Sequence, residues 1–390
     1  MRDIVMQICI LGRNPSLGVA ELESVLGPDP VKPLGGSCAM VSTDADLSKH
    51  GLGGTVKIGE VIGTCPLSSK LSSAALEVIV KHLEGKPAHK ISFGLSVYGI
   101  KVAPKQVEKL AFDIKGELKK RGRLSHVVLG EDNELNSAQV IHNKMLGDTG
   151  FEFLIVSSAK ANYIARTTNV QDIESYSRRD YKRPKRDTKV GMLPPKLAQI
   201  MLNLAKVGPD NTVLDPFCGT GVVLMEAALK GSKLIGSDLN PEMTLYTKDN
   251  LEWLASQYKI DIKLESLTSA DASINKWKGY FDRVVSEIYL GPPLDHLPKE
   301  SSLKAIAYNA NIMLNNFLAN LRPQLNQKSR CCIAIPVWKT KNGFLRLPVA
   351  DKLDKVGYAR VKFANLKVDR LIYHRPDQIV GRELLVLIPK

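Results

Sequence analysis

Three aspartates follow short apolar runs in the carboxyl-terminal half of the chain, and their chemistry suits a nucleoside ligand. Asp215, Asp238 and Asp271 each come at the end of a run that reads as a strand, and the first of these runs is typical of a buried one. Parallel strands present their carboxyl ends at one edge of a sheet, where ligands bind. Asp215 suits an amino group or positive charge, Asp238 two ribose hydroxyls, and Asp271 an adenine amino group. The spacing therefore predicts a pocket for a nucleoside that carries an amino-acid-like tail.

A glycine turn lies between the first of these strands and a helix. The strand at 212–214 leads into Asp215-Pro216-Phe217-Cys218-Gly219-Thr220-Gly221, and residues 222–229 are typical of a helix. A strand, a bare turn and a helix form the first half of a βαβ unit. The turn lacks the G-x-G-x-x-G pattern, so a dinucleotide-binding redox domain is not favoured. Its helix could still receive an anion.

The elements that must position these residues alternate between strand and helix from 193 to 390. This pattern predicts an α/β fold with a mostly parallel, doubly wound sheet. Residues 370–388 read as two strands around a turn, which predicts an antiparallel hairpin that closes the sheet. Asp271 is expected at the end of the third strand, at 262–267.

Residues 193–300 resemble the class I S-adenosylmethionine-dependent methyltransferases, whose domain is Rossmann-like. The loop at 215–221 is similar to the cofactor loop of their amino-methylating branch, and residues 192–198 resemble the segment that often closes over the cofactor. The resemblance implies that S-adenosyl-L-methionine is the cofactor. The implied cofactor-binding residues are Leu193, Pro194, Asp215, Phe217, Gly219, Gly221, Asp238, Leu239, Asp271 and Ala272.

The end of the fourth strand departs from the pattern of that branch. Its members carry Asp/Asn-Pro-Pro-Tyr/Phe there, whereas this chain has Ser-Glu-Ile-Tyr-Leu-Gly at 286–291 and its Pro-Pro pair at 292–293. The resemblance implies that Glu287 accepts the N–H bonds of a base amine and that Tyr289 stacks on the base. A working variant is favoured because an acid and an aromatic are retained. A different nucleophile, or cofactor binding without transfer, stays open.

The amino-terminal half resembles another part of one methyltransferase family. Residues 67–168 read as an α/β unit that resembles the THUMP unit of tRNA guanine-N2 methyltransferases, and residues 1–66 as a ferredoxin-like α+β unit before it. A basic linker at 169–192 and a methyltransferase domain at 193–390 complete the predicted division. The resemblance implies methylation of an exocyclic base amine in RNA, with guanine N2 of tRNA first. The alternatives are a non-catalytic RNA-binding protein and a DNA amino-methyltransferase.

The linker holds the densest run of positive charge. Most charge runs are solvated faces, but basic residues with interleaved tyrosines also suit phosphates and stacked bases. The chain as a whole carries a net charge of +14, which favours a polyanionic partner. The candidate RNA-binding residues are Arg178, Arg179, Lys182, Arg183, Lys185 and Arg186.

The remaining composition narrows the class of protein further. The six cysteines form no CxxC pair and the seven histidines lack metal-ligand spacing, so no metal site is expected. Buried free thiols in a reducing cytosol are the better interpretation. No run of about 18 apolar residues is present, so no membrane partner is expected. A protein partner is left open.

Overall fold

The computed structural model describes residues 4–67, 71–87, 90–187, 192–366 and 370–390. The chain divides into two compact units, an amino-terminal unit of residues 1–174 and a carboxyl-terminal unit of residues 175–390. The four-part division at 66/67, 168/169 and 192/193 stays a prediction.

One eight-stranded mixed sheet runs through the amino-terminal unit. Its strands are β1 (Val5–Leu11), β2 (Val31–Gly35), β3 (Cys38–Thr43), β4 (Thr55–Cys65), β5 (Lys90–Tyr98), β6 (Leu124–Val128), β7 (Gly150–Ser157) and β8 (Asn162–Val170). Its helices are α1 (Pro15–Leu26), α2 (Leu71–Glu84), α3 (Pro104–Lys120) and α4 (Ser137–His142), with a 3-10 turn at Leu47–His50. The strand order is β2-β3-β1-β4-β8-β7-β5-β6. Because β4 pairs with β8 in antiparallel fashion, the sheet is continuous across the predicted division at 66/67.

The helices α2 and α3 cover one face of this sheet. Apolar residues recur on α3 every three or four positions, which places them on one face of a helix. Ile114 and Leu118 of α3 are fully buried against Phe151 and Phe153 of β7 in one cluster. This packing turns the opposite face of α3 outward.

The carboxyl-terminal unit is a nine-stranded sheet with helices. Its strands are β9 (Thr212–Asp215), β10 (Lys233–Asp238), β11 (Leu264–Ser269), β12 (Arg283–Glu287), β13 (Arg330–Thr340), β14 (Gly343–Leu345), β15 (Tyr358–Arg360), β16 (Leu371–Tyr373) and β17 (Val380–Pro389). Its helices are α5 (Ile173–Tyr181, which begins just before the unit), α6 (Pro195–Leu204), α7 (Val222–Leu229), α8 (Pro241–Tyr258) and α9 (Glu300–Leu321). Short 3-10 turns lie at Arg322–Gln324, Pro348–Asp351 and Leu353–Val356.

The order of this sheet is β11-β10-β9-β12-β13-β17-β15, with β14 on β13 and β16 on β17. The strands from β11 to β13 are parallel, and β17 runs antiparallel to β13. The predicted closing hairpin is confirmed, because β16 pairs antiparallel with β17. The expectation that Asp271 ends the third strand is wrong: β11 ends at Ser269, and Asp271 lies in the following turn.

The core of this unit reaches the glycine turn through α9. Leu314, Phe317, Leu318 and Leu321 recur at helical spacing and are fully buried. The ring of Phe317 meets that of Phe217 edge-on, with centroids 5.0 Å apart. Burial of a side chain of this size contributes about 1.5–3 kcal/mol. The hydrophobic core therefore holds the turn after β9 in place.

Candidate active site

The turn between β9 and α7 has a backbone that its glycines make possible. Gly219 and Gly221 have φ values of +52° and +82°, in the left-handed region that side chains disfavour. A Cβ at Gly221 would also come within 2.9 Å of the Thr247 side chain, whereas one at Gly219 would meet nothing within 4 Å. Gly221 is thus needed for both conformation and close packing. Gly219 leaves open space above the turn.

Asp215 is a buried carboxylate that meets no cation in the described part of the chain. It is 1% exposed, and its Oδ1 accepts hydrogen bonds from Ser286 Oγ at 2.5 Å and Phe217 N at 3.3 Å. Burial, together with the neighbouring charges of Asp238 and Glu287, raises its pKa to about 7, although these two hydrogen bonds act to lower it. The site is therefore electronegative and suits a positively charged group.

The two other acids are held by backbone amides. Asp238 accepts from Gly219 N at its Oδ2 and from Asn240 N at its Oδ1, both at 2.9 Å. Asp271 Oδ1 accepts from Ser273 N at 2.8 Å and from Ser273 Oγ at 2.7 Å, and these bonds lower its pKa. Asp238 is thereby tied directly to the glycine turn.

One cavity of about 970 Å³ joins most of the predicted site. Its lining includes Leu193, Asp215, Phe217, Gly219, Asp238, Leu239, Asp271, Ala272, Glu287 and Tyr289. Pro194 and Gly221 do not line it. The sequence interpretation missed the wall that α9 provides, made of Asn309, Ile312, Met313 and Asn316. These residues are three or four positions apart, so the sequence could have shown that they share one face of α9. It could not have shown that this face lines the cavity.

Glu287 has a partner that the sequence interpretation also missed. Arg382 of β17 donates from Nε to Glu287 Oε1 at 2.5 Å and from Nη2 to Oε2 at 3.4 Å. The two side chains are 5% and 14% exposed. Burial raises the pKa of Glu287, and the Arg382 guanidinium opposes that rise. Each carboxylate oxygen has two lone pairs, so both can accept a further hydrogen bond.

Tyr289 lies two residues beyond this pair and is accessible. It is 53% exposed, whereas its neighbours Ile288 and Leu290 are buried. Gly291 follows with a φ of +93° and turns the chain. The segment therefore presents an aromatic ring at the cavity while its apolar neighbours anchor it.

The predicted RNA-binding residues do not lie together on an open surface. Arg179 is buried in an ion pair with Glu226 of α7, with Nε 2.5 Å from Oε1. Arg183 is also buried and donates to the carbonyl of Arg179 at 2.9 Å. Lys185 and Arg186 are half-buried over tyrosine rings, whereas Arg178 and Lys182 are exposed. Residues 188–191 of the predicted linker lie outside the described residues.

Comparison with known proteins finds a matching methyltransferase family and several named relatives. Residues 182–364 match the family described as RMKL-like, methyltransferase domain. An 86-residue segment is 45% identical to tRNA (guanine(10)-N2)-dimethyltransferase of Methanocaldococcus jannaschii and covers 22% of this chain and 23% of that protein. A 61-residue segment is 44% identical to the protein of the same name from Pyrococcus abyssi, over 16% and 18%. The chain thus matches less than a quarter of the length of each of these relatives.

Two solved structures share the fold over the whole chain. TrmN from Thermus thermophilus has a TM-score of 0.56 at 15% identity, over 99% of this chain and 100% of its own. SMU.472, a protein proposed to be a methyltransferase and solved in complex with SAH, has a TM-score of 0.52 at 12% identity, over 100% and 99%. At these identities the likeness shows the fold alone. Residues 182–364 thus form a methyltransferase domain, and the resemblance of residues 193–300 to the class I methyltransferases is confirmed. The resemblance of residues 67–168 to a THUMP unit stays a prediction.

Neither a membrane span nor a metal cluster occurs in the described ranges. None of their helices combines the length and the apolar character that crossing a bilayer requires. No three His, Cys, Asp or Glu side chains in these ranges come together as metal ligands. All six cysteines, which fall within the ranges, are buried free thiols.

Proposed function

We propose that the protein transfers a methyl group from S-adenosyl-L-methionine to an exocyclic amine of a nucleobase in RNA, with guanine N2 of tRNA as the target. One observation carries the proposal. The three acids of the glycine-turn region, together with Glu287 and Tyr289, line a single cavity. The tRNA guanine-N2 activity in the names of the aligned relatives supports the choice of target.

The charge of the residues that line the cavity suits this cofactor. A buried carboxylate without a cation is costly, and the raised pKa of Asp215 reflects that cost. A ligand with an ammonium and a sulfonium group would offset it. Asp215 would hold the amino group, Asp238 the ribose hydroxyls, and Asp271 with the Ala272 backbone the adenine. When bound, the cofactor supplies an electrophilic methyl group.

Glu287 and Tyr289 would prepare the nucleophile. The lone pair of an exocyclic base amine is delocalised into the ring, so the nitrogen reacts poorly. A carboxylate that accepts its N–H bonds helps to localise the lone pair, and an aromatic ring that stacks on the base aims it. Arg382 keeps the Glu287 carboxylate oriented and favours its charged form. The altered segment at 286–291 therefore retains both functions.

The amino-terminal unit would recognise the RNA. Its resemblance to a THUMP unit supports binding by shape and backbone, while the methyltransferase domain takes up a flipped base. The six buried thiols suit a reducing compartment. We therefore expect the protein to act in the cytosol on tRNA.

Labelled methyl donor and tRNA transcripts test the proposal. The wild type is expected to label tRNA, and nuclease digestion with mass spectrometry should identify N2-methylguanosine. Glu287→Gln keeps the shape and removes the charge, so kcat should fall about 10²- to 10³-fold. Its affinity for the cofactor, measured by calorimetry, should stay within about threefold, because the proposed cofactor contacts are elsewhere.

The control is Glu252→Gln, which removes an exposed carboxylate from α8 of the same unit. It should leave both quantities unchanged. Bound cofactor without label in any RNA would overturn the enzymatic function and leave a binding role. Label in DNA but not in tRNA would overturn the substrate. Full activity of Glu287→Gln would show that another group accepts the amine.

A further inference from the structure

The outward face of α3 in the amino-terminal unit carries positive charge without acids. With 3.6 residues per turn, the positions opposite the buried residues of α3 fall on one stripe. We call this stripe the α3 face. It consists of Lys105, Lys109, Phe112, Gly116, Lys119 and Lys120. Four of the six residues are lysines, and the acids Glu108 and Asp113 lie on its two flanks.

Most of these lysines form no ion pair with any residue that the structure describes. Lys120 forms an exposed ion pair with Glu117, with Nζ 3.2 Å from the carboxylate. Lys105, Lys109 and Lys119 form no ion pair in the described part of the chain. By contrast, Arg121 at the end of the helix is paired with both Glu84 and Glu117. Lys105, Lys109 and Lys119 are therefore available to phosphates.

An exposed aromatic ring lies in the middle of the α3 face. Phe112 is 48% exposed, although its neighbours Leu110, Ala111 and Ile114 are buried. Lys115 approaches the ring from one side, with Nζ 6.0 Å from the centroid. One turn further along, a Cβ at Gly116 would meet nothing within 4 Å, so the space beside the ring is open. A solvated lysine stripe gives no reason for a half-exposed phenylalanine at its centre.

We propose that the α3 face binds RNA, with its lysines on successive phosphates and an unpaired base stacked on Phe112. Lysines that neutralise phosphates supply affinity through counterion release, and an aromatic ring among them adds base stacking that any sequence can use. The inference rests on the proposed RNA substrate and adds the surface that would hold it. The α3 face also takes the place of Arg179 and Arg183 as a candidate RNA-binding surface, because the side chains of these two residues are buried in contacts within the fold.

The salt dependence of tRNA binding tests the lysines. In the full-length protein, Lys105→Gln, Lys109→Gln and Lys119→Gln together should lower the slope of log K against log salt by about 2–3, because each lost phosphate contact contributes about 0.7–0.9. The matched control is the triple variant Lys32→Gln, Lys81→Gln and Lys160→Gln, which removes three exposed lysines from the same unit. Its slope should stay close to that of the wild type. An equal change in both triple variants would reduce the effect to net charge and overturn the proposal.

Substitutions at Phe112 test the stacking. Phe112→Leu should weaken binding to a single-stranded RNA oligonucleotide about tenfold and leave the salt slope unchanged. Phe112→Trp, which keeps an aromatic ring, should bind the oligonucleotide as the wild type does. Equal affinities of the leucine and tryptophan variants would overturn the stacking. The affinity for S-adenosylmethionine should be unaffected in every variant, because the α3 face contributes no residue to the cavity. If the wild type methylates tRNA but the lysine variants have the same salt slope as the wild type, the α3 face does not bind RNA. The proposed function would still stand in that case.

Discussion

At the scale of single residues, one buried acid of the site lowers the stability of the folded state. Asp215 is buried beside two other acids and meets no cation in the described ranges. Its pKa is raised from an ordinary 3.8 to about 7. The folded state then binds more protons than the unfolded state between about pH 4 and pH 7. Below this window the group does not lower the free energy of unfolding. As the pH rises through the window, the free energy of unfolding falls.

Asp215→Asn should remove this dependence. The amide keeps the size of the side chain and carries no charge, so the protein without cofactor should gain up to about 4 kcal/mol at pH 8. Cofactor affinity should fall, because the proposed ammonium partner is lost. Urea unfolding from pH 4 to pH 8, with and without S-adenosylmethionine, measures both effects. Asp210→Asn, an exposed change just before β9, is the control, and an unchanged pH slope in Asp215→Asn would contradict the assignment.

At the scale of elements, the basic segment after α5 is fastened to the glycine turn by α8. The carboxamide of Asn250, which is fully buried, donates to the carbonyls of Lys185 at 2.9 Å and Thr220 at 2.8 Å. Its Oδ1 accepts from Lys185 N at 3.0 Å. The Arg179–Glu226 pair forms a second link, between α5 and α7. These contacts thus connect the basic segment to the glycine turn and stabilise it.

Asn250→Ala should loosen the turn and weaken cofactor binding. It leaves the Lys185 amide and two carbonyls without a buried partner, at a cost of about 1–3 kcal/mol per group. Calorimetry should show a cofactor dissociation constant raised about tenfold or more, along with lower stability. Asn315→Ala, an exposed change on α9, should alter neither quantity. Lower stability with unchanged cofactor affinity would mean that the contact is only structural.

The elements could be predicted to the extent that their evidence is local. The strand, turn and helix from β9 to α7 follow from an apolar run, glycines and helical spacing. The meeting of Asp215 with Asp238 follows from the parallel order of β9 and β10. Pairing over long separations leaves no such period, so Arg382 could not be assigned to Glu287, 95 residues away. The charge of Arg179 predicted an exposed side chain. Its partner Glu226 could not be recognised, because it lies on a helix that reads as apolar.

At the scale of the whole molecule, the methyltransferase domain has its own core and its own cavity. The core cluster around α9 and the cavity lining both lie within the carboxyl-terminal unit. A protein fragment of residues 175–390 should therefore unfold cooperatively and bind S-adenosylmethionine within about threefold of the full chain. Its affinity for tRNA should fall, since the proposed RNA-binding unit is removed. Loss of cofactor binding, or undiminished tRNA affinity, would contradict these roles.

A second fragment, residues 193–390, begins at the predicted domain boundary and tests where the domain starts. It lacks α5, so Glu226 stays buried without Arg179. Removal of one partner from a buried ion pair costs about 3–5 kcal/mol. The shorter fragment should therefore be less stable to urea than residues 175–390 by at least that amount. Glu226→Gln in the shorter fragment removes the uncompensated charge and should recover part of the difference. Equal stability of the two fragments would return the basic segment to the status of a linker.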